Sequence, residues 1–172
     1  MNDSYELYEE LAKRNNWSFS INSDDNRPYF MKDGKYAIPD EYTSDEDKQL
    51  LAAIIAEGSE ELAKLIITCW NNNLIVAGPC SGIIEFHDKE PFALHFGVSG
   101  KKEIITALYD ELMIFLPDLA HRIRDVEDGT RYDLNYFLKG KEISKEEANQ
   151  IFKAINISLE KILEISEKEK TI

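Results

Sequence analysis

Apolar side chains along this chain recur with two periods, one near 3.6 residues and one of 2, and the points where one gives way to the other outline its elements. Residues 4–15 place Leu7, Tyr8 and Leu11 on one helical face, after which Trp17, Phe19 and Ile21 alternate as in a strand. Asp33-Gly34 lies between Tyr29-Phe30-Met31 and Tyr36-Ala37-Ile38, the spacing of a two-residue hairpin, and Pro39 closes the segment. Residues 1–42 thus form a small β-rich element ahead of an α+β core domain over 43–172.

The acidic run 40–47 leads into a helix whose start is signalled by Thr43 and, three residues on, Glu46, a capping-box spacing; Leu50, Leu51, Ile54 and Ile55 are its apolar face. Gly58 ends it. Ser59 caps the next helix, where Leu62, Leu65, Ile66, Cys69 and Trp70 fall at i, i+3, i+4, i+7 and i+8, which makes Cys69 a core residue by position. Asn71-Asn72-Asn73 breaks that helix, residues 74–77 form a buried strand, and the turn Gly78-Pro79-Cys80-Ser81-Gly82 delivers the chain into strands at 83–87 and 92–98. A helix over 101–116 turns Ile104, Leu108, Leu112 and either Phe115 or Leu116 inward and stops at Pro117. Asp128-Gly129 suits a type I′ turn between arms at 121–127 and 130–138, the first of which could instead keep a helical turn. Ile143, Ser144 and Glu147 open the last helix as staple and capping box, and Ala148, Ile151, Phe152, Ile155, Leu159, Ile162 and Leu163 make one stripe reaching about residue 167. The resulting fold is α+β in two layers, helices packed on a largely antiparallel sheet, with a long C-terminal helix.

Matching apolar faces sets two registers. Ile84 opposite Phe96 and Phe86 opposite Leu94 bring the apolar sides of the two central strands together, which turns Glu85 toward His95 on the other side with His87 one pair along. With Asp128-Gly129 at the tip of the later hairpin, Ile123 pairs with Leu134 and Arg124 with Asp133, and Arg122 and Arg131 share the second, polar face. His121 is expected as an ordinary surface or edge residue.

Composition narrows the classes of function. With 43% hydrophobic and 31% charged residues, the chain can bury a core and is not disordered over most of its length. No apolar run approaches the roughly 20 residues of a membrane span, and Met1-Asn2-Asp3 lacks the basic flank of a signal peptide, so a cytoplasmic protein is expected. Two cysteines provide neither a disulfide framework nor a four-ligand zinc set, so no metal site is expected and any cofactor is left open. The formal net charge of −13 opposes nonspecific nucleic-acid binding, which depends on neutralising phosphates with Lys and Arg, and suits a basic partner.

Two constellations carry chemistry. Cys80 precedes a strand bearing Glu85 and His87, with His95 across from it, so thiol, imidazole and carboxylate share one neighbourhood, as nucleophilic catalysis requires. The alternative is a backbone-shaped corner: Pro79 fixes one torsion, the glycines open others, and consecutive amides around Ser81 and Gly82 face a ligand. The second constellation is Arg122, Arg124 and Arg131, whose guanidinium groups match carboxylate or phosphate through paired donors; its plain counterpart is a surface ladder of ion pairs.

The helix ending in Cys69-Trp70-Asn71-Asn72 and the turn Pro79-Cys80-Ser81-Gly82-Ile83 resemble a segment of the tRNA wybutosine-synthesising methyltransferase-like family, around its Ser-Cys-Ser-Gly-Arg signature. They also resemble uncharacterised small bacterial and phage proteins in which such a helix precedes a Cys-x-Gly turn. Pro79 stands where the family has its first serine and Ile83 where it has arginine, so Cys80, Ser81 and Gly82 carry across. The resemblance implies a helix–strand–turn–strand fold locally and an origin in a phage or mobile element. Two functions compete: a non-catalytic intracellular binding protein, an inhibitor that engages a basic protein surface or sequesters a small anionic ligand, and an enzyme or ligand-binding domain acting at the turn through Cys80. A homodimer through the C-terminal helix is a third, subsidiary option.

Overall fold

The computed structural model describes residues 3–23, 26–76, 93–137 and 144–171. Helix α1 (Asp3–Asn15) is followed by a three-stranded antiparallel sheet of β1 (Ser18–Ile21), β2 (Pro28–Lys32) and β3 (Lys35–Tyr36), in the order β1-β2-β3. The β2–β3 turn is the expected one, since Asp33 and Gly34 have φ of +52° and +76°, the left-handed values a two-residue type I′ loop demands. Phe30 anchors this unit, with Tyr8 and Trp17 edge-on to it at centroid distances of 6.2 Å. The buried face of α1 centres on Leu11 and Ala12 with Tyr8 beside them; Leu7, expected there, is exposed.

Helix α2 (Asp45–Ala56) begins one residue later than Thr43 and Glu46 suggest. The Asp40 carboxylate accepts from the Tyr42 amide and the Thr43 hydroxyl, which engages Thr43 in a local turn, and Ser44 Oγ caps the helix by accepting from the Asp47 amide at 3.1 Å. Asp47 is buried and accepts from Arg14 and Asn15 at 2.8 Å each, tying α1 to α2. Leu51, Ala52 and Ala56 are the buried side of α2, with Leu50, Ile54 and Ile55 packed against the core. Ser59 then caps α3 (Glu60–Asn71) by accepting from the Leu62 amide, while its hydroxyl donates to Asn149 Oδ1 at 2.6 Å. All five apolar positions expected of α3, Cys69 included, are buried.

After α3, Trp70 Nε1 donates to the Val76 carbonyl, and Ile75 exchanges both backbone hydrogen bonds with Ser99. The expected strand at 74–77 is represented among the described residues by this one antiparallel bridge. The strand at 83–87 and its pairing with 92–98, including Ile84 opposite Phe96 and Glu85 opposite His95, lie outside the described residues.

The second sheet has the order β4-β6-β5, all antiparallel, from β4 (Ala93–Gly100), β5 (Ala120–Val126) and β6 (Gly129–Phe137). Its inner face carries Leu94, Phe96, Val98, Tyr132 and Leu134, all fully buried. Helix α4 (Lys102–Phe115) packs on that sheet, and the 26-residue α5 (Lys145–Lys170) packs on α4 and α3. In α4 the inward residues are Ile105, Leu108 and Leu112; Leu116 packs against the core and Phe115 points to solvent at 63% exposure. The α5 stripe is as expected, with the helix running past residue 167 to Lys170. The chain is therefore of the α+β class, and among the described residues no helix is long and apolar enough to cross a membrane.

The β5–β6 hairpin corrects the expected register by two residues. Val126 pairs with Gly129, so Glu127-Asp128 is the loop, Ile123 meets Tyr132, Arg124 meets Arg131 and Arg122 meets Asp133. Gly129 enters the ladder with a φ of +135°, and a Cβ there would run into the Gly100 carbonyl. A shift of two preserves the facing of every side chain. Nor is His121 an ordinary edge residue. Its Nε2 donates to the Leu116 carbonyl and its Nδ1 is hydrogen-bonded to Tyr132 OH, both at 2.7 Å, latching the end of α4 to β6.

Gly129→Ala is expected to destabilise more than Gly34→Ala, although both need positive φ. Gly34 faces open space, so it loses only about 1–2 kcal/mol for the left-handed backbone, whereas Gly129 adds a backbone clash. Urea midpoints check this; equal losses would contradict the close approach of Gly129 to Gly100.

Candidate functional site

Burying the inner face of the β4–β6–β5 sheet sends the alternate residues outward. Two rows result on that outer face, Ser99–Arg131–Arg124 and Gly97–Asp133–Arg122, with His95 and Ala120 next along β4 and β5. The sequence parity put Arg122, Arg124 and Arg131 on one polar face, and they share it here. His95, expected in a different constellation, joins them through the β4–β6 pairing.

Asp133 is the centre. It is only 7% exposed; its Oδ1 and Oδ2 accept from Arg131 Nε at 2.9 and 3.2 Å, Arg131 Nη2 lies 2.9 Å from Oδ1 as an ion pair, and His95 Nε2 stands 3.2 Å from the same oxygen. Arg124 Nε is 3.9 Å from Oδ2. Burial alone would raise the Asp133 carboxyl; the hydrogen bonds and charge of Arg131, then of His95, outweigh it and hold the group below the ordinary carboxylate range. Gly97 makes this geometry possible. A Cβ there would run into the Arg131 guanidinium and Asp133 Oδ1, so the bare strand backbone is the floor on which the pair rests.

The arginines differ in what they have left to offer. Arg131 is committed to Asp133 and mostly covered. Arg124 is half exposed with a long contact to the same carboxylate, and Arg122 is exposed with no ion pair among the described residues. Three guanidinium groups against one carboxylate leave a local charge of +2 in a chain of net −13. Such a face can take an oxyanion through two adjacent forks.

The remaining expected site residues, Cys80, Ser81, Gly82, Glu85 and His87, lie outside the described residues, and so does their geometry to His95. Cys69 is fully buried and burial pushes its thiol up, which makes it an inert core group. Among the described residues no group of His, Cys, Asp and Glu could hold a metal ion. Asp133 and Gly97 are the site residues that pattern reading undervalued. A lone glycine inside an alternating strand signals close approach by another group, and that was the available clue.

Asp133→Asn is expected to lower stability at pH 7 by about 1–2 kcal/mol, below the value for a fully buried pair because the arginines reach solvent. The folded-state pKa is depressed, so the contribution of the carboxylate is present above the unfolded value and lost as pH falls through the lower folded value. The gap between parent and variant should therefore close below about pH 4. Urea unfolding at intervals from pH 7 to about pH 2.5 checks this, and a constant gap would contradict it. Family models, curated proteins and solved structures gave no match to the chain.

Proposed function

We propose that the protein is a non-catalytic, cytoplasmic binding protein whose ligand is a small anion or an anionic group, held on the outer face of the β4–β6–β5 sheet. One observation carries this reading: Arg122 and Arg124 stand exposed and under-neutralised, side by side, in a chain with 33 carboxylate residues against 20 Lys and Arg. Where carboxylates are so abundant, a surface ladder would be expected to neutralise them. Instead, the single buried carboxylate of the face is occupied mainly by Arg131. Asp133 orients Arg131 and His95 and leaves the outer pair to the ligand.

A second reading, an inhibitor that covers a basic protein surface, is favoured by acidic surface depressions along α3 and α5. Glu60, Glu61, Glu146, Glu160, Glu164 and Glu167 line these depressions, with Lys64 and Lys153 among them. Such a complex would weaken as added salt shortens the Debye length.

Inorganic phosphate and succinate, titrated at about 0.1 M salt and followed by calorimetry and amide NMR, test the first reading. Binding should move the resonances of Arg122 and Arg124. The double variant Arg122→Ala/Arg124→Ala should bind about tenfold or more weakly, since a hydrogen bond to a charged group is worth about 1.5–3 kcal/mol. Its unfolding midpoint should barely change, both residues being exposed. Absence of binding at about 10 mM ligand, or equal binding by the double variant, would contradict the proposal.

A further inference from the structure

Strand β5 is the edge of its sheet. Beta6 takes one side, over seven unbroken residue pairs from Ala120↔Asn135 to Val126↔Gly129, and no other strand or loop among the described residues hydrogen-bonds to its backbone on the other side. An open edge offers a row of N–H and C=O groups to any extended chain, and proteins guard such edges with charge, bulges or a covering element. Here the ladder has no bulge, and the exposed charges on its outer face are Arg122 and Arg124. Those charges are selective. They repel a second β5, which would bring arginines against arginines, and attract a strand that carries carboxylates.

We propose that β5 accepts an extended acidic segment of a partner protein as a fourth strand. Carboxylates at alternate positions of that segment meet Arg122 and Arg124, which lie two residues apart and so about 7 Å along one face. The residues between them fall on the inner side next to His121 and Ile123, both half-buried, where apolar side chains fit. The recognised pattern is thus acidic–apolar–acidic, with main-chain hydrogen bonds supplying affinity and the arginines supplying choice. This inference rests on the anion reading above and identifies the anion as side-chain carboxylate presented on a strand. The net charge of −13 repels an acidic peptide at long range, so binding should be measured near 0.15 M salt, where the Debye length is about 8 Å.

A fluorescent peptide with the core Glu-Val-Glu-Val-Glu is the probe, beside two versions N-methylated either on the glutamates or on the valines. Alternate amides of an added strand point toward its neighbour, so one methylated version should lose at least tenfold in affinity and the other should bind nearly as the parent. Arg122→Glu/Arg124→Glu should reject the acidic peptide and accept Lys-Val-Lys-Val-Lys in its place. Equal binding by all three acidic peptides, with loss in the charge-reversed protein, would overturn strand addition and leave the anion site standing. Phosphate binding without peptide binding would do the same, and dimerisation through β5 in place of peptide binding would also overturn it. Failure of both phosphate and peptide to bind would sink the anion reading itself.

Discussion

The alternation of side chains in the β4–β6–β5 sheet is the constraint from which both the core and the candidate site follow. Leu94, Phe96, Val98, Tyr132 and Leu134 are fully buried on the face toward α4. At about 1.5–3 kcal/mol for each large apolar side chain removed from water, their burial is on the order of 10 kcal/mol. Exposed ion pairs are worth about 1 kcal/mol or less. Hydrophobic burial therefore decides the facing, and His95, Gly97, Arg122, Arg124, Arg131 and Asp133 are brought together on the far side as its consequence. A one-residue slip in any strand would exchange the two sets.

Within that face, position and chemistry then interact. Asp133 is buried enough for desolvation to work against its charge, and the doubly bonded Arg131 more than offsets it. Gly97 supplies the space. Because Arg131 is occupied in this way, the outer arginines of β5 remain the groups with unspent donors, and they sit on the strand whose other edge meets no strand among the described residues. Among the described residues, charge and an unpaired strand edge thus coincide at β5.

The helices were legible because burial and period coincide in them. The stripe of α3 and that of α5 follow directly from spacing, and Ser59 and Ser144 cap as their positions imply. Local competition was harder to see. Thr43 and Ser44 are both good caps, and only the Asp40 turn, which engages Thr43, decides between them. The β5–β6 register differs from the expected one by two because faces are unchanged by an even shift, so the apolar pattern does not distinguish the two registers. For the same reason the three arginines could be placed on one face from parity, whereas the addition of His95 could not. Residues 95 and 133 are 38 apart in sequence and no short turn joins their strands. The Cys80 neighbourhood falls outside the described residues and leaves its two alternatives as they stood.

The central claim is a division of labour in which Arg131 is held by Asp133 while Arg122 and Arg124 bind. Nitrogen-detected NMR of the arginine side chains measures it directly, because each guanidinium Nε reports its own hydrogen bonding. On addition of phosphate, the Nε signals of Arg122 and Arg124 should shift while that of Arg131 stays near its starting position, slow to exchange with water. Movement of Arg131 alone, or of none of the three while lysine signals elsewhere respond, would contradict the account.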